Sequence, residues 1–466
     1  MTLTNSPGAT ARSGARSAPA YLLSTITAWF ADESDSSLAQ RVAGTAFLIR
    51  LASAALVYVT QVLLARWMGD FEFGIYVYVW TWVLLIGGLA DFGLASAAQR
   101  FVPEYSDGKR PALLRGFLSA SRWLTLATAT AIAVVGCLVI QIASNWINRY
   151  EIVPLYLACA CLPLFALTRV QDGIARSYNW ANLALLPPYV LRPVLLLACM
   201  AAAYAVGFGN DAVTAMTAAV IATWAAGAVQ LLMLDRKLLR EVGSGARNYE
   251  VRTWFSTAIP ILMVESFYLL LTSADVLLLQ QFREPNEVAI YYAAARTLSL
   301  VAFVYFSVSA ATAHRFSQYH ASGESQRLSD FIAQSIHWTF WPSLAATVAI
   351  LALGYPFLLL FGPQFVAGYP LMFILAIGLL ARASVGPAER LLNMVGEQRA
   401  CALVYMAAFA TNIVGCLILI PRWGLYGAAV ATSAGVVAES ALLFWVSKHR
   451  LGVHLFVWRR KRARSP

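Results

Sequence analysis

Runs of roughly twenty mostly apolar residues, each closed by a short polar connection, recur along the chain from residue 42 to residue 447. A helix of about 20 residues crosses the ~30 Å hydrocarbon core of a bilayer. The runs predict twelve transmembrane spans, numbered in chain order: 42–65, 74–98, 117–142, 152–171, 181–206 and 212–234, then 254–281, 288–312, 331–358, 368–387, 401–421 and 424–447. One stretch carries another period, because Tyr76, Tyr78, Trp80 and Trp82 alternate as on a half-buried strand. A lone strand would leave its backbone polar groups unpaired in lipid whereas a helix would not, so this stretch too is expected to be helical. Aromatic residues near the start of a span also suit the interfacial belt. Ahead of the spans, residues 1–20 are rich in Ser, Ala, Gly and Pro and read as a disordered tail. Residues 21–30 read as a short interfacial helix and not as a signal peptide. Ser24, Thr25 and Thr27 interrupt that run, and Asp32, Glu33 and Asp35 follow where a cleavage site would need small residues.

The pattern occurs twice. At an offset of 215 residues, Leu63 and Leu64 fall on Leu278 and Leu279, Glu72, Ile75 and Tyr76 on Glu287, Ile290 and Tyr291, and Arg100 and Phe101 on Arg315 and Phe316. Gly108, Trp123, Gly209 and Thr217 fall on Gly323, Trp338, Gly424 and Thr432. A register held over that length marks an internal duplication. The expected organisation is a cytoplasmic tail (1–40), a first lobe (41–234), a linker (235–252), a second lobe (253–447) and a basic tail (448–466). Six spans per half is an even number, so both halves enter the membrane in the same sense. They should be related by an axis along the membrane normal, as two lobes around a central cavity.

Composition agrees with this all-α, polytopic membrane architecture: 60% of residues are hydrophobic and 12% charged, against about half and a quarter in soluble domains. The net charge of +11 would suggest a nucleic-acid partner in a soluble protein, but here the basic residues sort by connection. With the N-terminus inside, 27 of the 34 Lys and Arg fall in cytoplasmic segments, and four, Arg66, Arg149, Arg283 and Arg422, fall outside. The bias places both termini in the cytoplasm. The tail cluster Lys448, Arg450, Arg459, Arg460, Lys461, Arg462 and Arg464 then suits anionic lipid, with no nucleic acid expected. The six cysteines all lie in apolar runs, which implies neither a disulfide framework nor a metal site.

Enzymatic signatures are lacking. There is no Gly-rich phosphate loop ending in Gly-Lys-Ser/Thr, no His-Glu-x-x-His, no Cys-x-x-Cys and no Asp-x-Asp, and every external loop is short. No cofactor or metal is expected. What remains is charge inside the spans, where an ionisable side chain costs at least a few kcal/mol and marks a functional candidate. Arg50, Asp91, Arg192, Glu265, Asp275 and Arg296 qualify. Two have structural alternatives: Asp91 sits near a span end and could snorkel or cap, and Arg192 lies among Pro187, Pro188 and Pro193, whose freed carbonyls a guanidinium could satisfy. Arg50 and Glu265 are repeat mates, so they are expected to pair across the cavity and to gate it. Asp275 and Arg296, at similar depth on spans 7 and 8, are expected to pair within the second lobe. Glu265, Asp275 and Asp91 are the candidates for ion coupling; Arg50, Arg192, Glu265 and Arg296 are those for substrate binding or gating.

The hairpin Leu64-Ala-Arg-Trp-Met-Gly-Asp-Phe-Glu-Phe-Gly-Ile-Tyr76, the following Asp91-Phe-Gly-Leu and Arg100-Phe, and the opening Gly424-Leu-Tyr-Gly-Ala-Ala-Val-Ala-Thr432 of the last span carry a resemblance. Over about residues 40–447 the chain resembles the polysaccharide-transporter branch, the Wzx-type flippases, of the multidrug/oligosaccharidyl-lipid/polysaccharide exporter superfamily. The second half departs from the hairpin pattern, with Glu284 and Ala289 where the first has Gly69 and Gly74. The resemblance implies alternating access and movement of an undecaprenyl-diphosphate-linked oligosaccharide across a bacterial inner membrane, for O-antigen or exopolysaccharide synthesis. It also implies cationic cavity residues, which Arg50 and Arg192 match by chemistry, and a polysaccharide polymerase and chain-length regulator as partners. Two other classes stay open: a cation-coupled multidrug exporter, which should prefer acidic cavity residues, and a non-transporting scaffold of a polysaccharide assembly complex.

Overall fold

Every element that the computed structural model defines is a helix, and the structure describes residues 35–321, 325–451 and 455–457. The expected interfacial helix at 21–30 and the basic cluster from Arg459 onward lie outside these. Residues 35–48 are helical and belong to a unit of their own, Met1–Leu48; the rest of the chain, Ile49–Pro466, forms the second and far larger unit.

Among the described residues there are nine helices long and apolar enough to cross a membrane, or eleven if two bent pairs each count as one span. The first of these, Leu51–Asp107, is 57 residues long, about 85 Å if straight, almost three times what a bilayer needs. Gly69 breaks it with φ 79° and ψ 175°. Tyr58 and Phe73 then both pack on Phe361, with ring centroids 5.5 and 6.4 Å away, although a straight helix would hold them about 22 Å apart. The segment is therefore the hairpin of spans 1 and 2, and the total is twelve. The 76–82 stretch is helical: Tyr76 stacks on Trp80 and Tyr78 meets Trp82, both at the i, i+4 spacing of one helix face.

The equivalent turn in the second half needs no glycine. Arg283 (φ −137°) and Glu284 (φ −74°) are extended, and Pro285 opens the next helix. Gly74 is required for a different reason, since a Cβ there would lie 1.8 Å from the Pro285 carbonyl oxygen. Three glycines along span 2 face the second half in this way: Gly74 against Pro285, Gly88 against Leu269 and Gly93 against Ala258. Without side chains in the way the two lobes approach closely along this seam.

Several spans are broken or longer than expected. Span 2 breaks at 90–93 and resumes as Leu94–Asp107; span 7 breaks after Leu271 and resumes as Ala274–Phe282. Span 4 runs from Arg149 to Ser177 and span 6 from Ala212 to Glu241, so only 242–250 of the expected linker is non-helical.

The buried apolar residues fall into three large clusters. At the end carrying the Gly69 and Arg283–Glu284 turns, one cluster takes residues from both halves, from Leu64 and Phe73 to Tyr291, Phe361 and Ile420. Toward the basic end, one cluster belongs to the first half with Trp254 and Ala258 of span 7, and another to the second half. The lobes thus share a core at the hairpin end and part toward the basic end, save for span 7, which leans on the first lobe. The hairpin end also carries polar links between the halves: Tyr58 to Thr297 at 3.1 Å, Gln280 to the buried Glu151 at 2.8 Å, and Arg66 to the carbonyls of Leu359 and Leu360 at 2.8 and 2.7 Å.

Candidate functional site

Spans 2, 4 and 5 line a half-open cavity of about 280 Å³ in the first lobe. Three guanidinium groups line it, those of Arg169, Arg176 and Arg192, with Asp172 as the lining carboxylate. Arg176 grips Asp172 in the two-pronged fashion of a fork on a carboxylate, at 2.8 and 2.6 Å, one helical turn apart. Arg192 is different. Its guanidinium lies over the rings of Trp80 at 5.3 Å and Phe165 at 5.4 Å, and no carboxylate pairs with it among the described residues. A cation held on aromatic faces keeps its five N–H donors.

Local sequence explains where Arg192 points. Pro187 lacks the N–H that would serve the Leu183 carbonyl, and Pro193 lacks the one that would serve Tyr189. The ladder relaxes into a π-turn over Pro187–Leu191, in which the Arg192 N–H reaches back to the Pro187 carbonyl. Gln230 of span 6 donates to the orphaned Leu183 carbonyl at 3.2 Å. The capping role open to Arg192 in the sequence is thus filled from a neighbouring helix, and the guanidinium is left in the cavity.

Asp91 does not snorkel. It sits in the break of span 2, fully buried, and its Oδ1 accepts from the Gly93 N–H at 2.9 Å. Arg169 Nε stands 3.5 Å from its Oδ2, and Arg169 Nη2 stands 3.9 Å from Glu265 Oε2 of span 7. Ser96 donates to the other oxygen of Glu265. The side chain of Arg50 lies outside the described residues, and the guanidinium that Glu265 faces among them is that of Arg169. The interlobe ion contact that Glu265 makes among the described residues is thus with a residue of span 4.

The expected Asp275–Arg296 pair is not formed. Asp275 follows directly on the break of span 7 and accepts from Tyr291 at 2.6 Å and from Thr432 at 3.1 Å, with Asn412 donating to the same threonine at 3.4 Å. Arg296 donates to the Tyr292 hydroxyl at 2.8 Å. Tyr291 and Tyr292 are successive residues on one helix, and the hydroxyl of each serves one of the two charges. Reading the sequence also passes over several charged residues. Arg169, inside span 4 as drawn, and Arg176, just beyond it, are both counted there with the cytoplasmic connection; the Asp172/Arg176 i, i+4 spacing was the available sign that the helix continues. Arg382 and Glu439 form a buried ion pair between spans 10 and 12, with Nε to Oε1 at 3.2 Å. Glu439 was legible as the lone acid of the last span.

A family model described as "Polysaccharide biosynthesis protein" matches residues 41–320, and the MatE model matches 260–418. An uncharacterized membrane protein of Methanocaldococcus jannaschii is 22% identical over 411 residues, covering 84% of this chain and 80% of that one. Among solved structures, the lipid II flippase MurJ in an inward closed conformation superposes with a TM-score of 0.69 at 14% identity, over 86% of this chain and 87% of that one. An inward-facing multidrug resistance MATE family transporter of the MOP superfamily superposes with a TM-score of 0.67 at 17% identity, over 87% and 94%.

Proposed function

The chain belongs to the polysaccharide biosynthesis protein family of MOP-superfamily membrane transporters, and on that premise we propose that it flips an undecaprenyl-diphosphate-linked oligosaccharide across a bacterial inner membrane. The observation that carries this reading is Arg192, a guanidinium without a carboxylate partner among the described residues, in a cavity with two further arginines. A diphosphate faces a Born cost of tens of kcal/mol in hydrocarbon, so its carrier must offer a wet cationic path while the prenyl tail stays in lipid. Arg suits the task through its fixed charge and its fork of donors. In this reading the basic end faces the cytoplasm, both termini lie there, and the parted clusters at that end give an inward-facing state. Transport, not bond-making, is the activity.

The MatE match over 260–418 and the acids Asp91, Glu265 and Asp275 favour a second reading, a cation-coupled drug exporter. Its cavity should attract cations, whereas this one holds an excess of arginine. The two are separated in cells lacking the protein and complemented with Arg192→Gln. We expect lipid-linked glycan to accumulate on the inner face and export to fall at least tenfold at normal protein level, with drug susceptibility unmoved. Normal glycan export, or a change in drug susceptibility alone, would remove the flippase reading.

A further inference from the structure

Arg169 lines the same cavity as Arg176 and Arg192, yet its guanidinium is held between carboxylates of both halves. Asp91 of span 2 stands 3.5 Å away and Glu265 of span 7 stands 3.9 Å away. Neither contact is a hydrogen bond: Arg169 Nε and Asp91 Oδ2 are buried and have no hydrogen-bond partner among the described residues. One cation is thus shared by two acids that do not saturate its donors. The sharing happens on the seam between the lobes, because a side chain added at Gly88 would come within 2.7 Å of Leu269 and 3.9 Å of the Arg169 guanidinium carbon.

Resting on the anionic-substrate reading, we propose that Arg169 couples cavity occupancy to the contact between the lobes. A phosphate in the cavity offers charge-assisted hydrogen bonds that the two acids leave unmade, so it draws the guanidinium away from one of them. Exposure decides which. Asp91 is fully buried whereas the Glu265 side chain is 33% exposed and keeps Ser96 as a donor. Stranding a buried carboxylate costs far more than releasing a half-solvated one. Asp91 therefore tethers Arg169 and Glu265 is the partner it gives up, which removes the charged contact between span 7 and span 4. By linkage, whatever weakens the Arg169–Glu265 contact must strengthen anion binding by the same factor.

The test uses the full chain in nanodiscs, inorganic pyrophosphate as probe, and spin labels on unnatural amino acids at the exposed positions Lys109 and Arg399 of the two halves. Pyrophosphate is expected to shift the interlobe distance in the wild type. Glu265→Gln should bind it about tenfold more tightly and should show the shifted distance before any ligand is added. Arg169→Gln should bind at least tenfold more weakly and show no shift, and Arg169→Lys should regain part of the affinity without the full shift. Wild-type affinity and wild-type ligand-free distance in Glu265→Gln, with Arg192→Gln still abolishing binding, would overturn the coupling and leave the anionic reading standing. Pyrophosphate binding that does not depend on Arg192, or none at all, would overturn both.

Discussion

Gly93 is constrained twice. Its φ of 75° is one that L side chains rarely adopt, and a Cβ there would meet the Ala258 carbonyl oxygen at 2.6 Å. Gly93→Ala should therefore cost about 1–3 kcal/mol, read as a lower thermal unfolding midpoint in detergent, and should disturb Asp91, whose carboxylate caps the Gly93 N–H. Gln230 is constrained through its partner. Gln230→Leu leaves the Leu183 carbonyl buried without a donor, a loss of about 1–3 kcal/mol, and should loosen the π-turn that aims Arg192. Unchanged stability in Gln230→Leu would show that the proline-broken ladder finds its donor elsewhere.

Among the elements, span 2 carries the most constraint. One face seats three glycines against the second half, and the break at 90–93 places Asp91 inside the protein instead of at a span end. Non-helical backbone is tolerated at that depth because it is buried in protein, not exposed to lipid. A bulkier residue at the seam should wedge the lobes without unfolding either one. Gly88→Val is expected to keep normal protein levels, lengthen the Lys109–Arg399 distance and abolish export. Normal export from this variant would mean that the seam opens during transport as a matter of course. Span 5 is strained by its prolines in another way, since they exchange helical regularity for the position of one guanidinium.

For the molecule as a whole, the shared core at the hairpin end and the separate cores at the basic end define a state closed on one side. The links at the closed end are few enough to test. Cysteines replacing Tyr58 and Thr297, joined by a short bifunctional thiol reagent, should lock that end and stop export, and cleaving the linker should restore it. Orientation is checked separately. Trp146 is 94% exposed between spans 3 and 4, so Trp146→Cys should react with an impermeant thiol reagent in intact cells, and Lys109→Cys only after lysis. The reverse pattern would invert the topology drawn from the charge bias.

The sequence by itself determined the twelve spans, their helical character and the duplication, because lipid leaves a backbone few ways to satisfy itself and because apolar length is a local property of the chain. It also picked out Asp91, Arg192, Glu265 and Asp275 as charges that lipid alone would not tolerate. Only the tertiary structure decided their partners. Asp275 goes to Tyr291 and Thr432, Glu265 faces Arg169 from the other half, and Arg192 rests on two rings while Gln230 serves the carbonyl that it was free to take. Pairing of this kind depends on helix rotation, on breaks such as 90–93 and 272–273, and on which helix stands across the seam. Each is fixed by packing between segments far apart in the chain, so no local pattern of residues carries it.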